Sequence, residues 1–147
     1  MSQLDLFAFN EVQVTYQTKQ LGPAITSSRD AYEFLVDRWK NIDYCERFYI
    51  ILLNRANKIK GVAFISEGGI GSTVADPKKI FGIAVKANAA ALILSHNHPS
   101  GQSRPSKSDQ TITNKCKEAG RFLDLPVLDH IIVTKDSYFS FADEGMI

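Results

Sequence analysis

From Glu11 to Thr18 the chain alternates, with Val12, Val14 and Tyr16 on one face and Gln13, Thr15 and Gln17 on the other. That period predicts a half-buried strand with one wet side. The spacing changes after Ser27 and Ser28, both N-cap residues. Ala31, Phe34, Leu35 and Trp39 recur at helical intervals and predict a helix to about Asn41 with one buried stripe. Phe48 to Leu53 is apolar and β-prone, and Arg55-Ala56-Asn57-Lys58 turns it into Ile59 to Ser66, which predicts a hairpin. Gly68-Gly69-Ile70-Gly71-Ser72 reads as a loop. Asp76-Pro77 then opens a helix to about Ala87, with Asp as cap and Pro at the first helical position. Ala89 to Leu94 is apolar on both faces, as a central strand covered from both sides must be. A further helix is expected from Ser106 to Ala119, stopped by Gly120. Val127 to Thr134, a turn at Lys135-Asp136-Ser137, and Tyr138 to Phe141 close the chain as a hairpin. The sum is a layered α/β domain.

Composition narrows the class. At 147 residues the chain is the size of one domain and can bury a full core. With 44% hydrophobic residues, 9 Gly and 5 Pro, it is neither disordered nor fibrous. No apolar run is long enough to cross a bilayer. An acid at Asp5 stands where an export signal would carry positive charge, so a cytoplasmic location is expected and no membrane partner. Cys45 and Cys116 stand far apart in no metal-binding spacing and read as reduced thiols, both packed in the interior. A formal net charge of +1 argues against strong nonspecific binding to nucleic acid.

The chemistry concentrates in Ser95-His96-Asn97-His98-Pro99-Ser100-Gly101, followed by Pro105-Ser106-Lys107-Ser108-Asp109. Residues two apart on a strand share a face, so His96 and His98 can approach one ion together, and a carboxylate is a normal third zinc ligand. Each part also has a plain structural use. His-x-His pairs are commonly hydrogen-bonded or surface histidines, and Ser106-x-x-Asp109 is a capping box. Helical periodicity puts Asp109 on the face of Ile112, Cys116 and Ala119, which aims it inward. That favours the ligand.

His-x-His, seven residues, Ser, two residues, Asp resembles the zinc signature of the JAMM metalloproteases (JAB1/MPN+ domains), carried here by His96, His98, Ser106 and Asp109. The wording of the motif resembles the bacterial RadC family. So do Thr73-Val74-Ala75-Asp76-Pro77, Lys86-Ala87-Asn88-Ala89 and Leu128-Asp129-His130. The resemblance runs from about Ser27 to Ile147. It implies a JAB1/MPN-like (cytidine-deaminase-like) α/β fold over residues 27–147: a mixed, curved sheet flanked by helices, with zinc at a sheet edge. Residues 1–26 are expected to be an N-terminal extension with one strand. The resemblance also implies a glutamate at the start of a strand, which Glu46 matches. On the sequence alone Glu46 is an ordinary exposed acid at a strand edge. As members of the class, His96, His98 and Asp109 would hold Zn2+, Glu46 would move the water's proton, and Ser106 would donate to the oxyanion or simply cap its helix.

The implied function is a zinc-dependent hydrolase cleaving a peptide or isopeptide bond in a protein or peptide-like substrate. By family name it is associated with DNA repair and with a repair complex. Two readings compete: a non-enzymatic DNA-repair accessory protein and a metal-dependent nuclease. A zinc deaminase is disfavoured, because His-x-Glu and Pro-Cys-x-x-Cys are absent. His130, between Asp129 and Ile131, reads as a structural or supporting histidine, not a ligand. Arg104, Lys107, Lys115, Lys117 and Arg121 read as a solvated helix face in preference to a site for an acidic partner.

Overall fold

The computed structural model describes residues 20–68 and 75–147. The expected strand at 11–18 and most of the glycine-rich loop lie outside the described residues. The elements are α1 (Ser28–Val36), β1 (Arg47–Leu53), β2 (Ile59–Glu67), α2 (Pro77–Lys86), β3 (Ala91–Asn97), α3 (Lys107–Phe122), β4 (Val127–Val133) and β5 (Tyr138–Ser140). The five strands form one sheet in the order β2-β1-β3-β4-β5. β1 is antiparallel to both its neighbours, β3 and β4 run parallel, and β5 is antiparallel to β4. The expected mixed sheet is therefore present, and β3 is its central strand, buried at every residue.

Strand alternation divides the core. Phe48, Ile50, Leu52, Leu92 and Leu94 face α2 and α3, where they meet Ile80, Phe81, Ala84 and Cys116. Ile51, Leu53, Ile93, Ile131 and Val133 face the other way, onto Ala31 and Leu35 of α1. Helices thus cover both faces, and the near-continuous apolar run of β3 is what a doubly covered strand requires. The same parity puts His96, two residues beyond Leu94, on the α2/α3 side. The hairpin turn closes through the Asn54 carboxamide, whose Oδ1 accepts from the Ala56 and Lys58 amides.

Three expectations need correction. Helix α1 ends at Val36, not near Asn41; the chain turns there, and Asn41 takes a left-handed conformation (φ 56°). Trp39 lies beyond the helix but still meets the α1-side core, edge-on to Tyr49 at 4.9 Å. Helix α3 continues through Gly120 to Phe122, and the left-handed residue that follows is Asp124 (φ 51°). Gly120 has a packing reason instead: a Cβ there would stand 2.3 Å from the Leu125 carbonyl oxygen. Cys45 is not a core residue. It precedes β1, so strand alternation does not govern it, and its thiol donates to the Glu67 carboxylate at 3.4 Å. Cys116 is buried as expected, and burial pushes its thiol up to about 12.

Candidate metal centre

The carboxyl end of β3 carries the group. Strand geometry continues through Asn97, so His96 and His98 project to one side. β1 runs antiparallel beside β3 with Phe48 opposite His96, which brings Glu46, just ahead of β1, to that same end. The parallel neighbour β4 receives the next hydrogen bond: the His98 amide donates to the Val133 carbonyl at 3.0 Å. The chain then turns through Gly101, which takes a positive φ of 85°, and enters α3. The metal-type group thus sits at the end of the central strand and not on a lateral one.

Four side chains converge. One donor atom from each of Glu46, His96, His98 and Asp109 lies within 4.8 Å of the others. The two Nε2 atoms of His96 and His98 are 3.0 Å apart. His96 Nε2 is 3.2 Å from Asp109 Oδ1, and His98 Nε2 is 3.2 Å from Asp109 Oδ2. Glu46 Oε1 stands 3.7 Å from His96 Nε2. His96 is essentially inaccessible, whereas Glu46 and His98 keep partial contact with solvent.

Asp109 serves both of the uses its sequence allowed. It is the third residue of α3 and completes a capping box, accepting from the Ser106 amide at 2.8 Å while Ser106 Oγ accepts from the Asp109 amide at 3.1 Å. The same carboxylate meets both imidazoles. The stripe that aims it inward consists of Asp109, Thr113, Cys116 and Gly120, with Ile112 and Ala119 at its margin. Ser106 is exposed at the helix start, with its Oγ 3.0 Å from that of Ser108.

Electrostatics follow from these contacts. Burial alone would raise the Asp109 carboxyl, but hydrogen bonds from His96 and His98 hold it far below the usual carboxylate range. Burial likewise opposes charge on His98; the bond to Asp109 outweighs it, with help from the Gln102 carbonyl, and raises that ring's pKa. The Nδ1 of His98 donates to that carbonyl at 2.7 Å, since a carbonyl can only accept. Its Nε2 is therefore the nitrogen offered to the centre. Imidazole nitrogens and carboxylate oxygens from three positions, gathered at the end of a rigid strand, are the donor set of a divalent transition metal. The residues present fit such an ion.

Two supports back the group: His130, read from the sequence as a structural or supporting histidine, and Asn97, which no sequence pattern singled out. His130, fully buried on β4, places Nε2 2.8 Å from His96 Nδ1, and burial pushes its pKa well down. Asn97, between the two histidines but on the other face, is also fully buried. Its Oδ1 accepts from the Arg47 amide at 2.7 Å, and its Nδ2 donates to the carbonyls of Ile42 at 2.6 Å and Cys45 at 2.9 Å. Those bonds clamp residues 42–47, and with them Glu46, to the end of β3. The Arg47–Glu67 ion pair at 2.7 Å ties the same segment to β2. An Asn flanked by two inward histidines at a strand end is the one signal that hints at such a clamp.

Comparison with known proteins agrees with this architecture. The chain is 43% identical over 122 residues to a UPF0758 protein of Flavobacterium johnsoniae, covering 83% of this chain and 53% of that one. It is 37% identical over 123 residues to one from Symbiobacterium thermophilum (84% and 52%), and 39% over 125 residues to one from Rubrobacter xylanophilus (85% and 54%). The chain spans about half the length of the curated relatives it matches, and their names state no activity. Residues 25–146 match the family model described as RadC-like JAB domain, and with that coverage the chain belongs to the RadC-like JAB-domain family.

Proposed function

We propose that this domain is a zinc-dependent hydrolase that cleaves a peptide or isopeptide bond. The observation that carries the reading is the convergence of His96 Nε2 and His98 Nε2 on the two oxygens of Asp109, with the Glu46 carboxylate alongside. His96, His98 and Asp109 would hold the ion, leaving a position open to water and substrate as catalytic zinc sites do. When bound, zinc supplies Lewis acidity, lowering the pKa of water to about 7 and polarising a carbonyl.

The chain's own groups supply the rest. Glu46 is shielded but still reached by solvent, as a proton carrier must be. It takes a proton from the attacking water and delivers it to the leaving amine. Ser106 Oγ, which accepts from the Asp109 amide, retains its own proton to donate to the oxyanion of the tetrahedral intermediate. Asn97 keeps Glu46 against β3, and the Gln102 carbonyl fixes the ring of His98. Resemblance to the JAMM class supports the peptide-like substrate. A cytoplasmic location and an association with DNA repair belong to the proposal on the same footing.

Elemental analysis of the purified chain tests the centre, beside His98→Ala and Asp109→Ala prepared identically. About one zinc per wild-type chain, lost in both variants, supports the reading and licenses a screen of peptide and isopeptide substrates with Glu46→Gln as the control. No metal in folded protein supplied with zinc would sink it.

A further inference from the structure

The buried face beside the centre holds two polar side chains, Thr113 and His130, that are not among the four converging groups and lead in a chain to His96. Thr113 Oγ1, on α3, lies 2.6 Å from the Asp109 backbone carbonyl and 2.6 Å from His130 Nδ1. His130 Nε2, on β4, lies 2.8 Å from His96 Nδ1. Both histidines, and Thr113, are at most 1% exposed, so water cannot substitute for a misplaced proton.

The direction of these bonds is fixed from one end. A backbone carbonyl only accepts, so the single Thr113 hydroxyl proton goes to Asp109, and toward His130 the hydroxyl oxygen can only accept. His130 must then carry its proton on Nδ1. Phe141 stacks on its ring at 4.8 Å and Phe48 tilts against it at 5.5 Å, an apolar enclosure that favours the uncharged ring. An uncharged His130 with Nδ1–H has a lone pair on Nε2, which accepts from His96 Nδ1–H. The Nε2 of His96 is the nitrogen that remains for the centre: it faces Asp109 Oδ1 at 3.2 Å in the metal-free fold, and its lone pair is the one an ion would take in place of that contact. Reversing the chain would set the Thr113 oxygen and the Asp109 carbonyl oxygen 2.6 Å apart with no proton between them.

We propose that Thr113 and His130 form a one-way hydrogen-bond relay, from β4 and α3 to β3, that holds His96 as the Nδ1–H tautomer and so aims its Nε2 lone pair at the metal. They are positioning residues, neither ligands nor catalytic groups. The relay starts from the carbonyl of Asp109, itself a ligand in the reading above, so α3 sets two ligands at once: Asp109 directly and His96 through Thr113. His98 obtains the same tautomer separately, from the Gln102 carbonyl. The inference rests on the metal-centre reading but is separable from it.

The experiment uses the full chain and zinc alone. Zinc affinity is measured by competition with a chromogenic chelator for wild type, Thr113→Val and Thr113→Ser. Long-range 15N–1H spectra of the metal-free wild type identify the protonated nitrogen of His130. Expected are Nδ1–H on His130, a loss of zinc affinity of about 10–100-fold in Thr113→Val, and near wild-type affinity in Thr113→Ser. A purely structural Thr113 would lower the melting temperature of Thr113→Val while leaving the zinc affinity of the folded protein unchanged, which overturns the relay. Nε2–H on His130 overturns it as well. Failure of wild type to take up zinc overturns the metal centre instead, and the ring-nitrogen spectrum still decides the direction of the relay.

Discussion

Asp109 and Asp129 are buried to nearly the same degree, 8% and 6% exposed, yet they have become opposite kinds of group. Burial pushes both carboxyls up. Asp129 stays raised, because its partners are neutral donors: Ser140 Oγ at 2.6 Å, the Ala142 amide at 2.9 Å and the His130 amide at 2.7 Å. Asp109 faces two imidazoles and is driven far down despite its burial. Asp129 therefore staples β4 to the chain end beyond β5, on the α1 side of the sheet. Asp109 is an anionic group held for a cation, on the α2/α3 side. Depth of burial does not distinguish a structural acid from a metal-type acid; the charge its partners can carry does.

The sharpest way to break this contrast is to delete each acid in turn. Asp109→Ala is expected to lose zinc entirely, and with it turnover, while keeping most of its metal-free stability; the lost helix cap costs about 1 kcal/mol. Asp129→Ala should do the reverse. It keeps its zinc but loses on the order of 3 kcal/mol, because two buried donors and the half-buried Ala142 amide lose their acceptor. Zinc stoichiometry and chemical denaturation of both variants check this, and equal zinc loss in the two would erase the distinction.

Glu46 extends the comparison to a third acid, one that borders the centre without needing to bind it. Glu46→Gln keeps the shape and removes the base. Zinc content should stay at the wild-type level while kcat falls about 10²–10⁴-fold on any substrate the wild type cleaves. Full activity in this variant would remove Glu46 from the mechanism. Asn97→Asp is expected to act on the same acid more weakly. It keeps the acceptor for the Arg47 amide but turns the donor to Ile42 and Cys45 into a second acceptor. A destabilisation of about 1–3 kcal/mol, with a lower kcat and unchanged zinc affinity, is the expected pattern.

How much of this was legible depends on the range of the signal. Asp76-Pro77, the hairpin turn at Arg55–Lys58 and the apolar run of β3 are local features, and each formed close to where the pattern placed it, although β3 starts at Ala91 and continues past Leu94 to Asn97. His96, His98 and Asp109 were readable because their spacing, a strand period and then a helix start, is itself local. Glu46 needed the antiparallel register of β1 on β3, which no window of sequence contains. Gly120 misled because a glycine near a helix end also suits close approach of another backbone, here the Leu125 carbonyl. Thr113 and Asn97 act through partners 17 to 55 residues away, so composition showed only a threonine and an asparagine in apolar surroundings; His130 read as a structural or supporting histidine, but its partner His96 lies 34 residues away on another strand.

The smallest expected effect concerns pH, and it separates Asp109 from its partner His98. Asp109 is lowered from an ordinary 3.8, so it stays ionised throughout the neutral range and contributes no pH dependence there. His98 is raised above its ordinary 6.5. In the metal-free fold, its pairing with Asp109 contributes stability that is complete below 6.5 and lost as pH rises through the raised value. Zinc needs the opposite state, because the ring must release its proton to bind. Zinc affinity should therefore climb by about tenfold per pH unit, one proton's worth, up to the His98 pKa and level off above it. The zinc-induced rise in Tm should accordingly widen as pH rises through the raised His98 value, in two stages: the loaded form gains up to about pH 6.5, and the metal-free form weakens above it. Calorimetry with and without zinc across both stages measures the difference directly. A gap that stays constant would mean that His98 exchanges no proton on binding, and that Asp109 and His98 are not the coupled pair their 3.2 Å separation makes them.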